Sequence, residues 1–230
     1  MLPVIPHSFS RAAEEVVKME KIAKEELVTV LDSVLKSMEG AKEELIELDG
    51  SMGDGDLGLT MVKGFEALCA DLREQTETDM GKLMMKLGMK MNATVPSTMG
   101  TLVSTCFMKA GPAAKNKTEI DLSDMVAMGQ GAVKGVMERG KTKIGDKTML
   151  DALAPAVDAL ASASSAGKSL TEAWQEAAAA AEQGVEATKS MQSVHGRAAY
   201  YREKSVGRQD PGATAVMYIV RGIAEGIKQL

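Results

Sequence analysis

Residues 48–61 read LDGSMGDGDLGLTM, a glycine-rich acidic turn that runs into the first turn of a helix. Beyond it, Met61, Phe65, Leu68 and Leu72 recur with the period of a helix that buries one face. The same period returns in one segment after another along the chain. Only 3% of the 230 residues are aromatic, and runs of β-branched residues are scarce. The sequence therefore predicts an all-α fold in one domain.

Three carboxylates, those of Asp49, Asp54 and Asp56, lie within eight residues of this turn, which contains no lysine or arginine. The glycines between them allow the backbone to turn all three side chains toward one point. Carboxylate oxygens are the hard ligands that Mg²⁺ takes, together with water and substrate phosphates. The turn therefore predicts a magnesium site. The alternative is a surface turn whose aspartates only cap the helix.

A calcium-binding EF-hand loop does not fit this turn. Counted from Asp54, the twelfth position is Phe65, where such a loop needs a glutamate. The start of the following helix is a candidate phosphate site, because the backbone N–H groups of residues 58–60 and the positive end of the helix dipole suit a phosphate. The metal and phosphate sites would lie side by side, as a magnesium nucleotide requires.

Composition and charge exclude several classes of protein. The formal net charge of -5 argues against a nucleic-acid-binding surface. The sequence has no signal peptide and no apolar run of about eighteen residues. Cys69 and Cys106 lie among apolar helical positions, as small core residues do in a reducing compartment. We expect a cytoplasmic protein that binds neither nucleic acid nor membranes.

The N-terminal residues differ from the rest of the chain. Residues 1–22 contain two prolines and then a short charged helix, which we expect from about Ser10 to Ile22. We assign them to an N-terminal extension, and residues 23–230 to the helical domain.

Two glycine-containing segments affect the predicted helices. Gly40 is expected to interrupt the first apolar stripe, so that two helices precede the acidic turn.

Residues 140–148 read GKTKIGDKT and at first resemble a Walker A loop, but Asp146 stands between glycine and lysine, and a helix precedes where a strand is needed. We expect a polar loop in which Asp146 or Thr148 caps the helix from Met149.

Two further helix starts carry polar groups. Hydroxyls in the segment Thr94–Thr101 form either a second phosphate cradle or an ordinary helix cap. Asp210 as the capping residue and Pro211 as the first helical residue begin the last helix. Arg197, shortly before it, is a candidate partner for an anion.

Three motifs carry a resemblance to a known family. They are residues 49–58 (DGSMGDGDLG), 140–149 (GKTKIGDKTM) and 196–214 (GRAAYYREKSVGRQDPGAT). In this order and spacing they resemble the nucleotide-binding L subunit of bacterial dihydroxyacetone kinases, and the match runs from about Glu25 to the C-terminus. The resemblance implies an antiparallel eight-helix barrel or bundle, and residues before it leave room for an extra N-terminal helix.

The resemblance also implies a ligand set. The three aspartates would hold two Mg²⁺ ions, with ADP or ATP at one mouth of the barrel. The matched nucleotide-binding positions are Leu57, Gly58, Leu59, Thr60, Thr98, Met99, Gly140, Met149, Arg197, Asp210, Pro211 and Gly212.

The activity implied by the resemblance needs partner subunits. In members that depend on the phosphotransferase system, bound ADP receives phosphate from a phosphohistidine on an M subunit. The resulting ATP phosphorylates dihydroxyacetone, which a histidine of a K subunit holds covalently. This chain has only His7 and His195, and neither has the context of a phosphoryl carrier, so we expect no catalytic side chain of its own. A homodimer is left open.

Two departures from the family pattern leave alternatives open. Leu57 stands where many relatives have histidine, and residues 96–100 read PSTMG in place of a glycine-rich cradle. The chain could instead serve an ATP-dependent kinase for dihydroxyacetone or another small ketose such as erythrulose. A third alternative is a nucleotide-occupied regulatory module without turnover.

Overall fold

The computed structural model describes residues 21–230, and eight α-helices make up most of them. They are α1 (Lys24–Gly50), α2 (Leu57–Glu74), α3 (Met80–Thr94), α4 (Thr98–Ala110), α5 (Leu122–Gly140), α6 (Leu150–Ser165), α7 (Leu170–Thr188) and α8 (Pro211–Lys228). Two 3₁₀ segments span Gly111–Ala114 and Arg197–Ser205, and two short strands, β1 (Lys21–Ala23) and β2 (Glu119–Asp121), pair antiparallel. The all-α prediction is confirmed; the short ladder was not predicted.

The eight helices form a closed ring. Each helix packs against its neighbours in chain order, and α8 packs against α1. Helices joined by short connections are antiparallel, so successive connections alternate between the two ends of the ring. We call the end that carries residues 51–56, 95–97, 141–149 and 189–210 the site end. All three motifs of the sequence lie there, which agrees with the predicted barrel.

One continuous apolar core fills the ring. Every helix contributes to it because its buried residues recur at helical spacing. Methionines take a large share, as expected for an adaptable core packing. The largest fully buried side chains are those of Phe65, Met38, Leu45, Met61, Leu68, Leu72, Met80, Leu83, Leu87, Met91, Leu150 and Val34.

The predicted break at Gly40 is wrong, because α1 runs without interruption for 27 residues. Met38 and Ala41, on either side of the glycine, are both buried. A glycine inside a helix costs only about 1 kcal/mol relative to alanine, and the packing of a long apolar face exceeds that cost.

The predicted N-terminal arm and most of the helix from about Ser10 lie outside the described residues. The end of that helix is not as predicted, because Lys21–Ala23 form a strand paired with Glu119–Asp121. The division of the chain at residue 22 stays a prediction. Among the described residues, no helix is long and apolar enough to cross a membrane.

The ring closes through a close approach of α8 to α1. A Cβ atom at Gly222 would stand 2.6 Å from Cα of Val34, and one at Gly226 would stand 2.7 Å from Cα of Val30. Real Cβ atoms do not come this near a backbone atom, so an alanine at either position would push the helices apart. These two glycines therefore set the spacing of the closing pair.

We predict that Gly222→Ala lowers the free energy of unfolding by about 1–3 kcal/mol, because overpacking a tight contact costs that much. Gly40→Ala is the matched control: it is the same substitution in α1, and apart from the adjacent backbone of α1 itself no atom of the described residues lies within 4 Å of the added Cβ. It should raise stability by about 0.5–1 kcal/mol. Urea unfolding measures both, and equal effects would contradict the role given to Gly222.

Candidate metal and phosphate site

The α1–α2 connection brings the three predicted carboxylates together. Asp49 lies in the last turn of α1, and Asp54 and Asp56 follow it. One oxygen of each lies within 4.8 Å of the other two. The backbone N–H of Asp56 donates to Oδ2 of Asp49 at 3.1 Å, and a Cβ at Gly53 would stand 2.4 Å from Oδ1 of Asp49. The connection is thus folded tightly around the Asp49 carboxylate.

Helix capping does not explain the position of the Asp56 carboxylate. Asp56 directly precedes α2, yet within residues 21–230 its side chain accepts no capping hydrogen bond. Burial raises the pKa of Asp56, and the negative charges of Asp54 and Asp49 raise it further. A bound cation would remove this repulsion. The geometry disfavours a turn in which the aspartates only cap the helix.

A basic residue reaches the turn from elsewhere in the fold. Nη1 of Arg197, in the α7–α8 connection, lies 2.5 Å from Oδ2 of Asp54. The turn lacks its own lysine or arginine, but it is partly neutralised by this distant guanidinium. Both side chains are about half exposed, so the pair contributes little to stability and can be exchanged for other partners.

The first turn of α2 lies beside the carboxylates. Leu57 and Gly58 are buried and Leu59 is exposed, and a Cβ at Gly58 would stand 2.2 Å from a backbone oxygen of α1. The first helical hydrogen bond of α2 is made by the N–H of Thr60, which donates to the Asp56 carbonyl at 2.9 Å. The N–H groups before it lack helical acceptors and lie at the positive end of the helix.

Three more predicted positions lie on α4 and α5. Thr98 is exposed and Met99 is buried in the first turn of α4, which Ser97 caps by accepting the N–H three residues on at 3.0 Å. Gly140 ends α5, and a Cβ there would stand 3.7 Å from the side chain of Leu102 in α4. These residues share the site end with the carboxylates, but no hydrogen bond or ion pair joins the two groups within residues 21–230.

The N-termini of α6 and α8 adjoin each other. Pro211 begins α8, and Asp210 caps it by accepting the N–H of Ala213 at 2.7 Å, as predicted. A Cβ at Gly212 would stand 3.4 Å from the backbone nitrogen of Met149, which precedes α6. The structure therefore brings Asp210, Pro211, Gly212 and Met149 together.

The α5–α6 connection is partly as predicted. Oγ1 of Thr148 accepts the N–H of Leu150 at 3.2 Å, which confirms a cap at this position. Of the two predicted candidates, Asp146 does not cap the helix, because its carboxylate accepts the N–H of Lys143 at 2.9 Å and lies 3.1 Å from Nε2 of His195 in the α7–α8 connection. A carboxylate with these partners is not available to the helix.

A cavity of about 510 Å³ opens beside the carboxylates. Met52 and Gly53 of the acidic turn form one wall, and Arg197, Tyr200 and Tyr201 form the other. The tyrosines were not predicted from the sequence. The sequence does show that these tyrosines are adjacent in a chain with only three, but no fixed spacing relates them to the acidic turn.

Comparison with known proteins supplies a family. The family model of the DAK2 domain matches residues 51–225. The chain is 35% identical over 187 residues to the PEP-dependent dihydroxyacetone kinase, ADP-binding subunit DhaL, of Escherichia coli, which covers 81% of this chain and 89% of the relative. It is 33% identical over 172 residues to the corresponding kinase 1 subunit of Listeria innocua, which covers 75% of this chain and 81% of the relative.

Solved structures agree with the fold. The native dihydroxyacetone kinase of C. freundii matches 98% of this chain with a TM-score of 0.69 at 23% identity. The structure of that kinase in complex with AMP-PNP and Mg²⁺ matches with a TM-score of 0.66. The chain spans 38% of the native kinase chain. At this level of identity the likeness supports the fold alone.

The buried Asp210 predicts a pH-dependent stability. Burial raises the pKa of Asp210 to about 7 from its ordinary 3.8, and the charge of Asp151 acts in the same direction. Between pH 4 and 7 the folded chain therefore holds a proton that the unfolded chain has released. The stabilisation from Asp210 is complete below pH 4 and is lost as the pH rises through 7.

We expect Asp210→Asn, whose amide oxygen can still accept from Ala213, to remove this dependence. In urea unfolding of the nucleotide-free chain, the stability of wild type relative to the variant should fall from pH 4 to pH 7 and then level. Asp121→Asn is the control, because the backbone N–H of Asp124 lowers the pKa of that capping carboxylate and its contribution is constant above pH 5. A constant difference for Asp210→Asn would refute the prediction.

Proposed function

Because the chain belongs to the DAK2 domain family, we propose that it is the ADP- and Mg²⁺-binding subunit of a dihydroxyacetone kinase. Relatives of similar length, which are named as ADP-binding subunits of such kinases, support this proposal. The observation that carries it is geometric: three converging carboxylates lie against the open N-terminus of α2. Few ligands other than a metal-bound phosphate match both features at once.

We propose that the site takes two Mg²⁺ ions and a nucleotide, and the chemistry of the residues present supports metal and phosphate binding. The oxygens of Asp49, Asp54 and Asp56 repel one another as they stand, which a hard cation would relieve. The first turn of α2 and the guanidinium of Arg197 supply hydrogen-bond donors for phosphate oxygens. We assign the nucleotide to Leu57, Gly58, Leu59, Thr60, Thr98, Met99, Gly140, Met149, Arg197, Asp210, Pro211 and Gly212.

Phosphoryl transfer asks mainly for positioning and neutralised charge, and these residues can provide both without a protein nucleophile. When bound, Mg²⁺ would offset the negative charge of the phosphates. Arg197 would leave Asp54 to meet a phosphate oxygen, because their half-exposed pair is weak. The cavity bounded by Tyr200 and Tyr201 then leaves a path from solvent to the phosphates.

The surface around the site supports docking of a partner. Large apolar side chains are exposed in the first turn of α2 and in the α5–α6 and α7–α8 connections, all at the site end. We call them the apolar rim: Leu59, Ile144, Val194, Tyr200, Tyr201 and Val206. A group of exposed apolar residues around a polar site is typical of a protein interface. We propose that a K-type subunit carrying the ketose docks there.

The phosphate donor is proposed to be a phosphohistidine on an M-type subunit, in keeping with the PEP dependence in the relatives' names.

Cys69 and Cys106 are unbridged in the described residues, which fits a reducing compartment, so we propose a cytoplasmic location. The alternatives are an ATP-dependent kinase for dihydroxyacetone or another small ketose such as erythrulose, and a nucleotide-occupied regulatory module without turnover. A homodimer is a further proposal for the assembly. The reconstitution test below separates both alternatives from the proposed function.

The first test concerns the metal site. Asp54→Asn and Asp56→Asn should each abolish Mg²⁺-dependent ADP binding in calorimetry, because each removes an anionic ligand, while circular dichroism stays helical. Asp158→Asn, on the exposed surface of α6, is the control and should bind as wild type. Wild-type affinity in both site variants would remove the basis of the proposal.

The second test is reconstitution. The chain alone should form no triose phosphate, because we expect the ketone-binding histidine on the partner subunit. With a K-type subunit and a phosphohistidine donor, catalytic amounts of ADP should suffice. If stoichiometric ATP alone supports turnover, the ATP-dependent alternative holds. Turnover by the isolated chain would contradict both.

The apolar rim is tested in the same assay. Val194→Asp combined with Val206→Asp should weaken the activity of the mixture while Mg-ADP affinity in the isolated chain is unchanged. Met89→Asp, on the exposed face of α3, is the control. Equal activity of the rim variant and wild type would exclude the rim as the docking surface.

A further inference from the structure

Lys147 is a buried lysine with a complete set of partners. Only 2% of the residue is exposed. An ammonium group has three donors and no acceptor. Its Nζ donates to the backbone carbonyls of Met191 at 3.2 Å and Arg208 at 2.7 Å, and also to that of Ser205. A buried charge is tolerated only with partners of this kind.

The three acceptors lie on both ends of one connection. Residues 189–193 leave α7 and form the first limb of the α7–α8 connection, and residues 205–209 return to α8 as the second limb. Met191 is on the first limb, and Ser205 and Arg208 are on the second. Lys147, from a different connection, therefore ties the two limbs together.

Other hydrogen bonds join the same two limbs. The N–H of Gly207 donates to the carbonyl of Lys189 at 2.7 Å. The N–H of Ser193 donates to Oγ of Ser205 at 2.9 Å. The residues between the limbs, 194–204, include Arg197. The limbs form a closed base, and Arg197 extends from it to Asp54.

The backbone conformation of Lys147 is unusual for a lysine. Its φ of 59° lies in the left-handed region, which residues other than glycine, asparagine and aspartate seldom adopt. Glycine would adopt this conformation more easily, but it could not make the hydrogen bonds that Nζ of Lys147 donates. Burial lowers the pKa of Lys147 and the nearby charge of Asp210 raises it, which links the lysine to the start of α8 as well.

We infer that Lys147 is a positioning residue for the phosphate-binding site: it holds the two limbs of the α7–α8 connection together, so that Arg197 reaches the aspartate cluster. The inference rests on the proposed function. Lys147 does not itself contact the nucleotide, because its three donors already have acceptors. This separates it from the lysine of a Walker A loop, which contacts phosphate directly.

A double-mutant cycle tests whether Lys147 acts through Arg197. Lys147→Met, which keeps an unbranched side chain one atom shorter and has no donor, should weaken Mg-ADP binding about 10- to 100-fold in calorimetry, as the loss of supporting residues does at other sites. In an Arg197→Met background the same change should have less than about a threefold effect. A merely structural lysine would give additive effects, and additivity would overturn the inference.

Hydrogen exchange of the ligand-free chain tests the physical cause. In Lys147→Met, the backbone amides of residues 192–207 should exchange faster, while those of α1 to α4 keep their rates. Lys143→Met is the matched control, since Lys143 is an exposed lysine of the same connection, and it should change neither exchange nor affinity. Unchanged exchange in Lys147→Met would overturn the inference.

A second variant covers the case in which Lys147→Met does not fold. Ser205→Ala removes the hydroxyl that accepts from Ser193 and should loosen the same limbs, with faster exchange there and weaker Mg-ADP binding. Unchanged binding would overturn the inference. Failure of the unmodified chain to bind Mg-ADP would instead overturn the proposed function, whereas unchanged affinity in Lys147→Met, with wild-type binding intact, would overturn this inference alone.

Discussion

The contact between α8 and α1 is the one on which the arrangement of the site depends. Gly222 and Gly226 allow α8 to lie against the backbone of α1, and this closes the ring. The acidic turn follows α1 and the connection with Arg197 precedes α8, so the two meet only because these helices are neighbours. A larger side chain at either glycine would act on the ligand site without being part of it.

The ligand site and the main source of stability are separate in this fold. The core is apolar and continuous, and it provides the free energy that keeps the ring together. The charged groups of the metal site lie at the end of α1 and on connections at the site end, where Asp54 and Arg197 form a weak, half-exposed pair. Exchange of this pair for a metal and a phosphate would therefore disturb little of the core. Rigid helices with functional connections are a common solution to this problem.

The sequence predicted what depends on local pattern. Helical periods placed the helices, and the converging aspartates and the cap at Asp210 followed from residue type and spacing. It failed where distant groups compete. Gly40 did not break α1 because tertiary packing exceeded a local preference, and Asp146 did not cap α6 because it pairs with the distant His195 and with the N–H of Lys143. The pairing of Arg197 with Asp54 depends on ring closure, and the burial of Lys147 depends on the packing of two distant connections. Neither leaves a local signal in its segment.

The alternation of connections means that the site depends on the circular order of the helices and not on their linear order. The start of α1 and the end of α8 both lie at the end of the ring opposite the site, and Gln229 still contacts Ser33 of α1 through a 3.1 Å hydrogen bond. A chain that began at α3, with α8 joined to α1, would place the same four connections around the same metal and phosphate positions. The fold is therefore suited to circular permutation, with its break anywhere at the end away from the site.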